Sequence, residues 1–239
     1  MLGTVFVIGR VRGMVFGVFA LAIGVGCAPS IDSAAKADID ARVAGLRPPT
    51  ATIPAPETFL PMPLAPGQWI QQRMVDDKGQ PSFVTYKVLS AEDDAFWIET
   101  VRETYTGRVV SQMLVSFGDR KDPAQVEIRA IKNKDSKGRL SEVPQPMIAM
   151  MQSLFRKALT MMVVHWEGQP QEAASVPAGQ FASCYRVRSD AEWAGFHAVS
   201  DSWWHPAVPI SGMVRSLGVD KPFTIELVAY GLTGAVSEF

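Results

Sequence analysis

Three histidines, two cysteines and a tryptophan pair are the residues of this chain whose types could do chemistry. A histidine can move protons near neutral pH or ligate a metal, and a thiolate can attack carbon or bind a soft metal. Their spacing supports little of this. His165 stands beside Trp166-Glu167, His197 in a strand-like stretch and His205 after the pair Trp203-Trp204. The chain has no Gly-rich phosphate loop, Gly-x-Ser-x-Gly elbow, His-Glu-x-x-His helix or Cys-x-x-Cys pair. Two cysteines exclude a four-Cys metal site. No metal or other cofactor is expected, and the chain reads as a non-enzyme. Cys184, inside Phe181-Ala182-Ser183-Cys184-Tyr185-Arg186-Val187, is expected to be a small packed hydrophobe. Trp203 and Trp204 could stack on a sugar or lie at a membrane surface, but neighbours in a strand alternate, so one of them belongs to the core. Lys132, Lys134, Lys137 and Arg139 could touch phosphate or lipid head groups. Asp135 and Glu142 interrupt them, and the stretch reads as a solvated hairpin tip.

Cys27 stands in a different context. Residues 1–26 contain no acidic residue and two basic ones, Arg10 and Arg12, ahead of an apolar run from Gly13 to Gly26. A basic flank followed by such a run is the layout of a secretory signal peptide, here 1–26, and the run is too short to span a bilayer. It ends Gly24-Val25-Gly26-Cys27-Ala28. That ending resembles the lipobox of bacterial lipoproteins, with Gly24 where the family usually has Leu. An ordinary signal that happens to contain a Cys is the other reading. The resemblance implies a diacylglycerol on the Cys27 sulfur, cleavage before it and an acylated (palmitate-type) amine. The chain would then be held in the cell envelope by its N-terminal lipid. Ala28 in place of Asp implies the outer membrane, facing the periplasm.

The positioning elements follow from composition and period. With 23 basic and 24 acidic residues in 239, a whole-protein grip on nucleic acid is excluded. Eight of the 17 prolines lie between Ala28 and Pro66. Residues 27–66 therefore read as a lipidated Cys and a Pro-rich tether. Extended as polyproline, its Pro-dense part would reach on the order of 60 Å. Ser33 to Leu46 could form a short helix within it. From Gly67 the period becomes two, and 67–239 reads as one domain. Gln68–Val75, Ser82–Ser90, Ala95–Tyr105, Arg108–Phe117 and Ala124–Ile131 are strand-like runs. Short turns such as Thr106-Gly107 join them, which implies an antiparallel meander. Val110 and Leu114 are apolar on the face opposite Met113 and Val115, so both faces of that strand must meet something. Phe181–Arg188, Gly195–Trp204, Met213–Leu217 and Pro222–Tyr230 continue the pattern. A terminal Phe239 also occurs in outer-membrane barrels, but the long helix between the strand groups does not fit one.

That helix, Met147 to Val164, carries Met147, Met151, Leu154, Phe155 and Met162 at helical spacing and is apolar around most of its circumference. It is expected either to plug a curved sheet or to wall a ligand site. The fold expected is α+β: a strongly curved antiparallel sheet, an incomplete β-barrel, around one Met-rich helix.

Val176-Pro177-Ala178-Gly179-Gln180-Phe181, then Trp204-His205-Pro206-Ala207-Val208-Pro209-Ile210-Ser211-Gly212, then Tyr230-Gly231 resemble a pattern of exported bacterial proteins. Their half-barrel fold is similar to that of the lipoprotein-localisation (Lol) carriers. The resemblance spans about residues 67–236 and implies an apolar cavity under the sheet. It implies a lipid or lipoprotein ligand, an acyl chain or another amphipathic molecule, with Met147, Met151, Leu154, Phe155 and Met162 facing it. A non-catalytic interaction scaffold for an envelope protein is the competing expectation.

Overall fold

The structure, a computed structural model, describes residues 30–58, 60–118, 125–159, 168–193 and 196–239. Among the described residues twelve strands form a single open sheet. The first group is β1 (Thr52–Ile53), β2 (Trp69–Val75), β3 (Pro81–Glu92), β4 (Ala95–Thr104), β5 (Gly107–Ser116), β6 (Glu127–Lys134) and β7 (Leu140–Glu142). The second is β8 (Gln171–Val176), β9 (Gly179–Trp193), β10 (Phe196–Trp204), β11 (Met213–Gly218) and β12 (Thr224–Gly231). Helix α1 is Ser33–Gly45 and α2 is Gln145–Leu159. The described residues are thus mostly β, with two short helices.

Two antiparallel meanders, β2 to β7 and β8 to β12, are fused where β12 pairs with β2. The fusion is long in sequence but short in space: Glu226 stands opposite Arg73 and bonds it at 2.5 Å. The alternation of each strand sorts the side chains. One face carries Ile70, Val84, Tyr86, Val88, Ile98, Met113, Val115, Ile131, Ile225 and Leu227, a continuous apolar cluster. Burial raises the pKa of Tyr86 within it. The β8–β9 hairpin folds back over this face, and the Ala178 N–H donates to the Leu227 carbonyl at 3.2 Å. Ala174 and Val176 of β8 are buried in the same cluster. Over β11 and β12 the inner face is therefore covered by the chain's own side chains.

The opposite face is covered in part by segments at the two ends of the chain. Asp32 caps α1, its carboxylate accepting from the N–H groups of Ala34 and Ala35. Ile39, 1% exposed, faces β3 and β4 from α1. The Arg42 guanidinium lies 4.0 Å from the Phe83 ring and bonds Glu103 at 2.8 Å. Residues 52–53 then pair in parallel with β9 at Gln180 and Phe181, and Ile53 is buried. The segment read as an extended tether is thus laid along the sheet. Prolines deny it a ladder of its own, but Ile39, Ile53 and Leu64 bury apolar surface that an extended spacer would leave in water. On the same outer face Val101 of β4, beside α1, and its β5 neighbour Val110 are both buried.

Helix α2 begins after Pro144, two residues earlier than its apolar period implies. Its described contacts are with β6 and the residues before it. Gln152 accepts from the Ile128 N–H and donates to the Val126 carbonyl, and Arg156 donates to the same carbonyl. Ile148 is 2% exposed, whereas Met147 and Met150 are exposed. These contacts seat the described part of α2 against β6. Val126 and Ile128 offer an apolar seat beside β6, with Gln152 satisfying the backbone there.

Candidate functional site

The outer face carries the polar chemistry of the molecule, arranged in two rungs. Antiparallel registry places one side chain per strand on each rung. The first runs Arg186, Trp203, Arg215, Glu226, Arg73, Phe83, Glu103, Arg108 across β9, β10, β11, β12, β2, β3, β4 and β5. The second runs Trp69, Lys87, Glu99, Gln112, Lys132, Glu142 across β2 to β7.

The second rung holds the most buried charges. Glu99 is 0% exposed. Its carboxylate accepts from Lys87 Nζ at 2.9 Å, Gln112 Nε2 at 2.9 Å, Ser237 Oγ at 3.2 Å and the Glu238 N–H at 3.0 Å. Lys87 also donates to the Val236 carbonyl and to the Glu238 carboxylate. The partners of Glu238 include Arg108, and Lys134 donates to its carbonyl. The C-terminal segment 232–239 therefore runs along this rung as a strap. Trp69 Nε1 donates to the Thr233 carbonyl, and Trp69 lies so close over Gly231 that a Cβ there would come within 2.4 Å of Nε1. A groove of about 270 Å³ between strap and sheet is lined by Trp69, Thr85, Lys87 and strap residues. That lies below the usual range of small-molecule pockets, about 300–1,000 Å³. Glu99 Oε1 accepts from Lys87 and Oε2 accepts from Gln112, Ser237 and the Glu238 N–H, so the carboxylate is held by the fold's own donors. This is a fastening.

The half of the first rung on β9 to β11 remains open. The Trp203 ring lies 5.6 Å from both the Arg186 and Arg215 guanidinium carbons, and its Nε1 donates to Glu172. Asp201 accepts from Arg186 at 2.9 Å and pairs with Arg188 at 3.6 Å. The alternation read from sequence holds here: Trp204 is core and Trp203 is half-buried among charges.

The histidine and thiol settle into structural places. His205 is 3% exposed. Its Nδ1 accepts from the Ala207 N–H at 3.1 Å, which leaves Nε2–H to donate to the Pro54 carbonyl at 3.1 Å. The neutral ring so fixed stands edge-on to Phe181, and burial lowers its pKa. It pins the loop 205–212, buried almost throughout, to the segment after β1. Ile210 in that loop has φ 63° and Gly212 φ 76°, the left-handed region that a β-branched residue rarely enters. Cys184 is fully buried, and burial pushes its thiol up to about 12, far from a nucleophile's range.

Most of the side chains expected to face a ligand lie outside the described residues. Cys27, Met162 and His165 lie outside the described residues. Met151, Leu154 and Phe155 lie on α2 and His197 on β10, but their side chains are outside the description. Met147 is exposed beside Met150. Sequence reasoning missed Lys87, Glu99 and Gln112. A signal for them was present: Tyr86-Lys87-Val88 and Ile98-Glu99-Thr100 put opposite charges in mid-strand on two arms of one hairpin.

No protein-family model matches the chain, and no curated protein does. One solved structure is similar. It is a protein of Bacteroides fragilis, described as exported and as having a YmcC-like fold. It is 13% identical, with 71% of this chain and 98% of that one covered, at a TM-score of 0.36. Among the described residues no three His, Cys, Asp or Glu side chains are grouped to hold a metal, and no helix is long and apolar enough to cross a membrane.

Proposed function

We propose that this chain is an exported, lipid-anchored, non-catalytic protein of the bacterial envelope, whose sheet is a scaffold for contacts with another envelope component. The observation that carries the scaffold reading is the distribution of packing. The inner face, where an acyl chain would lie, buries a continuous apolar cluster from Ile70 to Leu227, with β8 packed over β11 and β12. Half of the outer face is covered by α1 and the strap, and the other half presents Arg186, Arg188, Trp203 and Arg215 to solvent. Aromatic and arginine side chains together on an open face are the composition of recognition surfaces. The anchor part of the reading rests on the signal-like run ending at Cys27. Two measurements on protein from a bacterial host test it. Cys27→Ser should release the protein from the membrane fraction; a variant still cut and still membrane-bound refutes acylation. Native mass spectrometry of residues 30–239 should show no copurified lipid. A stoichiometric lipid would overturn the scaffold reading in favour of an acyl carrier.

A further inference from the structure

The lipid-anchor reading has a geometric consequence that the docking of α1 makes specific. The Asp32 N–H donates to the Tyr105 carbonyl at 2.8 Å, and the Tyr105 hydroxyl donates to Asp40 at 2.7 Å. Lys36 Nζ lies 4.9 Å from the Tyr105 ring. The start of α1 is thereby tied to the β4–β5 turn. Four residues separate Cys27 from Asp32. Even fully extended they allow no more than about 18 Å between the two Cα atoms. The β6–β7 tip stands beside that turn: a Cβ on Gly107 would lie 3.5 Å from Ser136 Cβ. The tip carries Lys137 and Arg139, and Arg108 opens β5 next to it. Ile31, 59% exposed, lies in the connection itself. The nearby carboxylates are largely engaged: Asp32 in the cap, Asp40 with Lys36 and Glu103 with Arg42, while Asp135 takes only the Nε–H of the Arg139 guanidinium, a side chain that stays 75% exposed. Asp76 and Asp77 sit at the neighbouring β2–β3 turn.

We propose that the end of the sheet formed by the β4–β5 and β6–β7 tips is a membrane-facing surface, held against anionic lipid head groups by the short link from Cys27 and by Lys137 and Arg139. This rests on acylation of Cys27. The domain would lie flush on the bilayer, with the Trp203 face turned sideways. Membrane-facing Lys or Arg contribute modestly each and fade with salt, so the link sets the orientation and the charges hold it.

The test uses the full acylated chain in vesicles of phosphatidylethanolamine and phosphatidylglycerol. An environment-sensitive fluorophore is placed on Ser136→Cys or, at the opposite end, on Ala91→Cys. Buried Cys184 stays unlabelled. A head-group quencher should quench the probe at 136 several-fold more than at 91. A flexible Gly/Ser insertion of about 20 residues before Ser30 should equalise the two. K137E/R139E should reduce quenching at 136 in these vesicles and leave it unchanged in phosphatidylcholine vesicles. Equal quenching at both positions, or indifference to insertion or charge reversal, overturns the orientation. Intact mass separates the failures: no acyl mass on Cys27 removes both the anchor and this surface. Acyl mass with equal quenching removes the surface alone.

Discussion

At the residue scale, Glu99 and Lys87 show how a charge survives inside a small sheet. Taking both from water costs several kcal/mol per ion, and the pair offsets this only because every oxygen and proton finds a partner. Removing one partner strands the other. Lys87→Met or Glu99→Leu alone should cost about 3–5 kcal/mol. The double variant should cost clearly less than either single one, as read by urea unfolding. Additive losses would show that the two do not act as a pair. His205 obeys a different balance. Burial holds its pKa below the ordinary 6.5, so below that pH the unfolded chain binds a proton that the folded chain refuses. Stability should therefore fall as pH drops through about 6.5 toward the folded value, and be level above it. His205→Gln should flatten that part of the profile. An unchanged slope would place the titration elsewhere.

At the element scale, the segments that a linear reading sets aside as tails do the covering. Ile39→Ala should cost about 2–5 kcal/mol if α1 is seated as described, and it should raise amide exchange in β3 and β4. A free tether would show neither effect. Deleting residues 232–239 removes the acceptors and donors that finish the Lys87–Glu99 rung. A loss of about 2–3 kcal/mol is expected, the scale of one or two hydrogen bonds to charged groups. Protection should fall at β2 to β4, and an unchanged unfolding midpoint would reduce the strap to decoration. The helix α2 reads differently. Its apolar circumference was plain in the sequence, but Met147 and Met150 face solvent while Ile148 is buried. A period identifies a helix and cannot say which side of it a sheet will take.

For the molecule as a whole, the seam between β12 and β2 decides cooperativity. Each meander alone would leave an open edge there. Joined, they share one apolar cluster that includes Ile70 of β2 and Ile225 and Leu227 of β12. Unfolding should be a single transition, with tryptophan fluorescence and far-ultraviolet circular dichroism giving the same midpoint. Two separated transitions would mean that the meanders are independent units. Pairing across more than 150 residues, as between Arg73 and Glu226, also makes folding slow relative to a helical protein of this size.

Local information determined the elements. Alternation located β2 to β6 and β9 to β12 within a few residues, because a half-buried strand needs a period of two and its turns need Gly, Asp and Asn-like chemistry. Ser33 to Leu46 was legible as a possible short helix, but its seat on β3 and β4 was not. The short β1, β7 and β8 were not legible. Two and three residues hold too few periods for β1 and β7, and β8, Gln171-Glu172-Ala173-Ala174-Ser175-Val176, lacks an apolar alternation; each lies along β9 or β6. The meanders follow from short connections, but the β12–β2 seam does not. It depends on which two edges meet after more than 150 residues, a choice made by the shared apolar cluster. The same holds for Glu99. Its sequence neighbours mark it as a charge in mid-strand, while its four donors come from three other parts of the chain. Periodicity is written between neighbours in sequence; the satisfaction of a buried charge is settled only between neighbours in space.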